Sequence, residues 1–206
     1  MTPPAILPDA LVVLDYVGIA VFAVSGALLA AEKKQTLVTF IFFAVVTGVG
    51  GGTIRDLLIG APVFWMHTNA TLLICIAAAL GVWFLSRQTI AERALLWFDA
   101  VGLAAYATYG AAKALNYGVA PVPAFAMGVI TACVGGIIRD VLASEPSILM
   151  RPELYVTAAA LASGLFVVVS MFGVPPALAA AVAGLAGFSL RGAAIARGLS
   201  LPAYDR

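Results

Sequence analysis

Charged residues are scarce in this chain. Its 206 residues include 11 Lys and Arg, 10 Asp and Glu and one His, so only 10% of the chain is charged and the formal net charge is +1. A chain with so little basic excess gives no reason to expect a nucleic-acid partner, because such partners require clustered Lys and Arg. Hydrophobic residues make up 63% of the chain, and its mean hydropathy is +1.08. This composition predicts a membrane protein rather than a soluble domain.

Metal-ligating and nucleophilic side chains are also few. The two cysteines, Cys75 and Cys133, lie inside predicted helices, and we expect them to act as small apolar residues rather than as a disulfide or metal pair. The single histidine, His67, lies in a predicted loop. The sequence contains no phosphate-binding loop, no metal-ligand spacing and no Ser, His and Asp set at a plausible shared depth. We therefore expect neither enzymatic activity nor a cofactor or metal.

Long hydrophobic runs, in contrast, are abundant. A membrane-spanning helix needs about 20 mostly apolar residues, and seven such runs lie between turn-forming or charged segments. They cover residues 11–31, 37–59, 69–86, 94–115, 122–143, 153–172 and 176–195. The sequence thus predicts an all-α polytopic membrane protein in which residues 1–206 form a single membrane domain.

The sequence repeats itself at an offset of 84 residues, the separation of Arg55 and Arg139. The motif GGTIRD at 51–56 returns as GGIIRD at 135–140. A duplicated structural unit leaves such matches in constant register. Each copy holds three predicted helices, and because three is odd the second copy must be inverted relative to the first. The predicted boundaries are residues 10–93 for the first copy, 94–175 for the second and 176–197 for a seventh helix.

Basic residues mark one side of this predicted topology. They are Lys33, Lys34, Arg87, Arg93, Arg151, Arg197 and Arg206. The connections on the other side contain no Lys or Arg outside the helix ends, only His67. Because Lys and Arg accumulate on the cytoplasmic side, we expect the N-terminus outside the cell and the C-terminus in the cytoplasm. Residues 1–8 contain no basic residue, so we expect the first helix to be retained rather than cleaved as a signal.

Charged residues inside the predicted helices are the main functional signal, because each costs about 2.5–3.5 kcal/mol at a helix centre. Six of them form three pairs of equivalent positions: Asp15 with Asp99, Arg55 with Arg139, and Asp56 with Asp140. Shared depth predicts an ion pair between the first Asp and the Arg of each copy, Asp15–Arg55 and Asp99–Arg139. Such pairs could lock neighbouring helices together or take part in permeation, and both roles remain open.

Lys113 is a seventh intramembrane charge, near the end of the fourth helix. It could meet Asp56, but the default interpretation is that its ammonium snorkels to the lipid headgroups.

Glycines cluster in the second and fifth predicted helices, on a face shared with Thr and Arg. Each interior glycine costs about 1 kcal/mol relative to alanine. One interpretation is close helix packing. The other is a kinked or interrupted helix whose carbonyls face a polar path, and repetition in inverted copies favours it. The expected pore-lining or gating residues are Thr47, Gly50, Gly51, Gly52, Thr131, Gly135 and Gly136.

The doubled Gly-Gly-x-x-Arg-Asp motif, the inverted three-helix copies and a seventh helix carrying Arg191 resemble the prokaryotic trimeric intracellular cation (TRIC) channel family. The resemblance covers residues 10–197. It implies a homotrimer in the lipid of a prokaryotic inner membrane, with a pore inside each protomer that passes monovalent cations, chiefly potassium, between kinked second and fifth helices. The same bacterial sequences are also grouped as glycine transporters, so transport of a small solute such as glycine is the alternative. A purely structural membrane scaffold is a third class.

Overall fold

The computed structural model describes residues 8–85 and 88–202, with the backbone alone for residues 88–92. Seven α-helices occupy these ranges: α1 Asp9–Glu32, α2 Leu37–Leu58, α3 Asn69–Leu85, α4 Gln88–Asn116, α5 Pro121–Leu142, α6 Val156–Met171 and α7 Pro176–Arg197. Short 3₁₀ turns follow α2 at Phe64–Met66 and α5 at Ile148–Met150. The predicted all-α fold with seven helices is confirmed. Arg87 and Arg206, used above to orient the chain, lie outside the described residues.

Two helix starts differ from the sequence-based boundaries. The fourth helix begins at Gln88 rather than near residue 94, because the intervening residues contain no Gly or Pro and are compatible with a helix although they are polar. The sixth begins at Val156 rather than near residue 153. There the chain pairs with the segment after α7 instead: Glu153 and Ser200 form an isolated antiparallel bridge, and the Leu201 N–H donates to the Pro152 carbonyl at 2.7 Å.

Four of the described helices, α1, α2, α5 and α7, are long and apolar enough to cross a membrane. The apolar helices α3 and α6 are shorter, at 17 and 16 residues, which corresponds to about 25 Å against a hydrocarbon core of about 30 Å. The fourth helix has 29 residues and carries Asp99 and Lys113 within its apolar stretch. Together the helices form a multi-pass membrane protein.

The inverted duplication is visible in the backbone and in the helix contacts. Gly60 and Ser144, which are equivalent positions, both take positive φ angles of 68° and 55° after α2 and α5. Gly18 of α1 packs against the ring of Tyr106 in α4, and the equivalent Gly102 packs against the ring of Phe22, the equivalent of Tyr106. The two copies therefore pack on each other through matching residues, α1 on α4 and α2 on α5.

The seven helices give the bundle two ends. We call the end at which α1 begins the N side; it carries the α2–α3, α4–α5 and α6–α7 connections. We call the opposite end the C side; it carries the α1–α2, α3–α4 and α5–α6 connections and the end of α7.

Candidate functional site: two buried charge clusters

Each copy builds a buried charge cluster around the Arg-Asp pair that ends its motif. The Arg55 Nε donates to Asp56 Oδ1 at 2.9 Å, and the Arg139 Nε donates to Asp140 Oδ1 at 2.9 Å. The second oxygen of each carboxylate accepts a backbone N–H from the start of the following 3₁₀ turn, Phe64 at 3.1 Å and Ile148 at 3.0 Å. Each aspartate thus fixes its arginine and anchors the adjacent turn through charge-assisted hydrogen bonds.

The C-side cluster consists of Ser25, Asp99, Arg139 and Asp140. The Arg139 Nη1 donates to Asp99 Oδ1 at 2.7 Å and also to the Ser25 hydroxyl, while Nη2 lies 2.8 Å from Asp140 Oδ1. The arginine and Asp99 are only 2% and 1% exposed. The predicted Asp99–Arg139 ion pair is confirmed, and a single guanidinium serves two carboxylates.

The N-side cluster consists of Asp15, Arg55, Asp56, Tyr109 and Lys113. Here the predicted Asp15–Arg55 ion pair is wrong. The Arg55 Nη2 lies 2.8 Å from Asp56 Oδ1, and the guanidinium carbon lies 5.1 Å from the centroid of the Tyr109 ring. The Oδ1 of Asp15 has no hydrogen-bond partner among the described residues. Tyr109 occupies the position equivalent to Ser25. An aromatic ring therefore faces Arg55 on the N side, whereas on the C side the small Ser25 hydroxyl contacts Arg139 next to Asp99.

Lys113 completes the N-side cluster and does not snorkel. Its Nζ lies 2.8 Å from Asp56 Oδ1 and 3.0 Å from Asp56 Oδ2, and the residue is only 7% exposed. The snorkelling interpretation is therefore wrong and the alternative, contact with Asp56, is confirmed. The fully buried Asp56 carboxylate, which also holds Arg55, stabilises the ammonium of Lys113 in this position. If Lys113 reached the headgroups instead, it would regain hydration, but Asp56 would lose a partner, and a less fully paired buried charge is costly.

Between the clusters, α2 crosses α5 at the glycines of the repeated motif. Both helices are helical throughout, so the expected interruption is not observed. A Cβ on Gly51 would lie 2.1 Å from the Thr131 carbonyl oxygen, and one on Gly135 would lie 2.6 Å from the Thr47 carbonyl oxygen. Close packing, the first interpretation, therefore accounts for these two glycines. Both threonines are fully buried.

Several polar contacts at this site have no clear signature in the sequence. The Tyr106 hydroxyl donates to the Gly48 carbonyl at 2.9 Å, so α4 binds the backbone of the glycine-rich stretch. Arg191 of α7 is 1% exposed and pairs with Glu153 at 2.6 Å. From the sequence, Tyr106 could be a residue that only packs against glycine. The partner of its hydroxyl is set by the tertiary arrangement and could not be predicted.

A cavity of about 220 Å³ opens beside the C-side cluster. Its wall includes Leu29, Glu32, Arg139, Asp140 and Glu145. Glu145 also forms an ion pair with Lys33 of the α1–α2 turn. The hydrogen bond between them raises the pKa of the lysine and lowers the pKa of the glutamate. The cavity therefore has acidic and basic groups on its wall, the buried Asp140 among them.

Comparison with known proteins places this architecture. A family model described as Glycine transporter matches residues 12–87 and again 96–171, two stretches at the same 84-residue offset. A UPF0126 membrane protein of Vibrio cholerae is 46% identical over 154 residues, which are 72% of this chain and 63% of that protein's length. The UPF0126 inner membrane protein YadS of Escherichia coli K12 is 44% identical over 150 residues, covering 70% of this chain and 72% of that protein.

Solved structures agree with the sequence relatives. The TRIC trimeric intracellular cation channel orthologue from Rhodobacter sphaeroides superimposes with a TM-score of 0.89 at 43% sequence identity, over 93% of this chain and all of that one. The fold is thus shared over nearly the whole chain. The chain belongs to the glycine transporter family of membrane proteins, which is TRIC-like in structure.

Proposed function

We propose that the protein is a monovalent cation channel, permeable to potassium, with a separate path inside each protomer of a homotrimer. The observation that carries the proposal is the pair of buried charge clusters at opposite ends of the α2–α5 crossing. Charges at membrane depth are costly and mark ion or substrate pathways. The close likeness to a protein named a trimeric intracellular cation channel orthologue supports the same function, and a channel has no need of enzymatic activity.

The balance of charge favours cations over anions. In the N-side cluster, Asp15 and Asp56 face Arg55 and Lys113, and the formal charges cancel. In the C-side cluster, Asp99 and Asp140 face Arg139 alone, which leaves one formal negative charge. The arginines are held by carboxylates, so their repulsion of a passing cation is reduced, and the surplus carboxylate attracts one.

We place the gate at the crossing of α2 and α5. The residues proposed to line or gate the path are Thr47, Gly50, Gly51, Gly52, Thr131, Gly135 and Gly136. A small separation of the two helices there would free the threonine hydroxyls and the carbonyl oxygens that Gly51 and Gly135 now cover. Such oxygens replace the hydration shell of a monovalent cation in known filters.

We further propose that the protein is placed in a prokaryotic inner membrane with its N side outside and its C side in the cytoplasm. The placement of Lys33, Lys34, Arg151 and Arg197 on the C side supports this orientation. The name of the Escherichia coli relative, an inner membrane protein, supports the location. The exposed apolar faces of the helices would then contact lipid or neighbouring protomers.

The second candidate function is transport of a small zwitterion such as glycine. The family description, Glycine transporter, favours it. The cavity offers groups of both signs, since the carboxylate of a zwitterion could bind Arg139 and its ammonium Asp140.

Purified protein in liposomes separates these functions. Potassium flux and uptake of labelled glycine are measured on the same preparation, with protein-free liposomes as the control. The channel predicts a potassium current proportional to voltage and no saturable glycine uptake. Saturable glycine uptake without such a current would replace the channel by the transporter, and the absence of both would leave a structural scaffold.

A further inference from the structure

The two clusters differ at one position that decides their charge. Lys113 of α4 is equivalent to Leu29 of α1 at the 84-residue offset. On the N side, the Lys113 ammonium binds Asp56 at 2.8 and 3.0 Å. On the C side, Leu29 carries no charge, and no lysine of the described residues contacts Asp140 as Lys113 contacts Asp56.

The surroundings of the two carboxylates are otherwise matched. Both accept an arginine Nε at 2.9 Å, and both accept a backbone N–H eight residues further along the chain. The Arg139 Nη2 also donates to Asp140 Oδ1 at 2.8 Å, so Oδ1 accepts two hydrogen bonds while Oδ2 accepts one. An oxygen of a carboxylate has two lone pairs, so Oδ2 can accept a further donor or bind a cation. At Asp56, the Lys113 ammonium occupies this remaining acceptor capacity of the carboxylate.

A cavity lies at the corresponding position on the C side. Leu29 and Asp140 both lie on the wall of the C-side cavity of about 220 Å³. This volume holds several water molecules at roughly 30 Å³ each, so it accommodates a small cation together with part of its hydration shell. The other nearby bases are engaged or peripheral, because Lys33 pairs with Glu145 and Arg151 is exposed at the cavity wall.

The C-side cluster also has unused acceptor capacity in its interior. Asp99 is 1% exposed, and its Oδ2 has no hydrogen-bond partner among the described residues. One buried guanidinium therefore faces two buried carboxylates, one of which keeps an oxygen without a donor. Buried surplus charge of this kind is stabilised by a bound counter-ion.

We propose that the C-side cavity binds a monovalent cation such as potassium on the Asp140 carboxylate, at the place that corresponds to the Lys113 ammonium on Asp56. The N-side cluster carries its cation as a tethered side chain, whereas the C-side cluster takes one from solution. A divalent ion such as calcium fits less well because it requires six to eight oxygen ligands, and both oxygens of Asp140 already accept hydrogen bonds from protein. Weak binding by one carboxylate and water also permits rapid release, as conduction requires.

The proposal rests on the proposed function, because the cation bound at Asp140 is the ion that the channel conducts.

The test is Leu29→Lys, which places an ammonium on the C side as Lys113 does on the N side. Leu29→Met is the matched control, because methionine has a long unbranched side chain like that of lysine but carries no charge. Thermal unfolding of the purified protein is measured as potassium chloride replaces N-methyl-D-glucamine chloride at constant ionic strength.

Potassium should raise the unfolding temperature of the wild type and of Leu29→Met but not that of Leu29→Lys. In liposomes, Leu29→Lys should lower potassium flux about tenfold relative to Leu29→Met, because a fixed ammonium on Asp140 repels the passing cation. If potassium stabilises all three proteins equally, or none of them, the cation site is rejected even when flux is present. If potassium stabilisation depends on residue 29 but the wild type passes no potassium, the site stands and the channel function is rejected.

A second variant keeps the test decisive if Leu29→Lys does not fold. Lys113→Leu copies the C-side arrangement onto Asp56 and should make the stabilisation by potassium larger than in the wild type. A potassium dependence equal to that of the wild type in folded Lys113→Leu would contradict the proposal.

Discussion

At the scale of single residues, the two copies solve the same electrostatic problem with different partners. Each motif ends in Arg-Asp, and in both copies the aspartate holds the arginine. Arg139 then binds a second carboxylate, Asp99, whereas Arg55 lies against the ring of Tyr109. The substitution of a small hydroxyl by an aromatic ring at one equivalent position therefore changes the ion-pair pattern of a whole cluster.

This difference predicts unequal coupling in two matched double-mutant cycles. Arg139→Ala strands two buried carboxylates and should destabilise the protein by about 3–5 kcal/mol. The double variant with Asp99→Ala should lose less than the sum of the two single variants. The matched cycle of Arg55→Ala with Asp15→Ala should show weaker coupling than the Arg139 cycle, because these two side chains share a cluster but form no direct ion pair. Unfolding in detergent measures both cycles, and equal coupling energies would contradict the structure.

The Lys33–Glu145 ion pair predicts a mild dependence of stability on pH. The pKa of Glu145 is lowered by its hydrogen bond to Lys33, so its stabilisation is present above the unfolded-state pKa and is lost as the pH falls through the folded-state pKa. The pKa of Lys33 is raised, so its stabilisation is lost as the pH rises through that higher value. When the unfolding temperature is measured as a function of pH, Glu145→Gln should show a smaller fall on the acid side than the wild type. Because the pair is solvent-accessible, high salt should shrink the difference, and an unchanged acid limb would show that the pair contributes nothing.

At the scale of helices, the structure depends on two crossings that glycine makes possible. On the α1–α4 crossing, Gly18 and Gly102 receive the rings of Tyr106 and Phe22. On the α2–α5 crossing, Gly51 and Gly135 bring backbone against backbone. The second crossing separates the two charge clusters, so in the proposed channel its spacing would decide whether a path between them is open or closed.

The helices and one of the two intracopy ion pairs could be predicted from the sequence, but the contacts between the copies could not. Hydrophobic runs and the repeated motif were sufficient for seven helices, their inversion and the Asp99–Arg139 pair. Each arginine is also met by a residue of the other copy, and the Asp15–Arg55 prediction failed because this residue is the large Tyr109 at Arg55 but the small Ser25 at Arg139. Likewise, glycine spacing in α2 indicates that something approaches closely, but only the tertiary arrangement identifies it as the Thr131 carbonyl.

The α2–α5 crossing predicts different costs for neighbouring glycines. Gly51→Ala and Gly135→Ala place a Cβ against a backbone carbonyl, which cannot move aside, and each should destabilise the protein by about 1–3 kcal/mol. Gly50→Ala is the matched control, because its Cβ would lie 3.2 Å from the flexible end of Ile138. It should fold normally and, if the crossing gates the path, should reduce potassium flux. Unfolding temperature and liposome flux measure both effects. Equal stability of Gly50→Ala and Gly51→Ala would contradict the packing at the crossing, and unchanged flux in Gly50→Ala would remove this glycine from the proposed gate.

At the scale of the whole molecule, the inverted duplication makes the two ends similar in shape but different in charge. The turns after α2 and α5 share their backbone conformation, yet the N-side cluster is formally neutral and the C-side cluster carries one negative charge. Among the described residues, the basic side chains Lys33, Lys34, Arg151 and Arg197 also lie on the C side. A pathway built on this plan would offer a cation different electrostatic surroundings at its two ends.

The same plan makes a prediction about the position of the chain in the membrane. Lys34 lies in the turn before α2 and His67 in the connection after it, and both are exposed, so one crossing separates them. The native thiols Cys75 and Cys133 are buried, which keeps background labelling by an impermeant thiol reagent low. In intact cells, His67→Cys should react, and Lys34→Cys should react only after permeabilisation, because Lys and Arg accumulate on the cytoplasmic side of membrane proteins and the proposed orientation puts the C side there. Labelling of both from the same side would reject the inverted topology. Labelling of Lys34→Cys alone would preserve the fold but reverse its orientation, and the cation site on Asp140 would then face the outside of the cell.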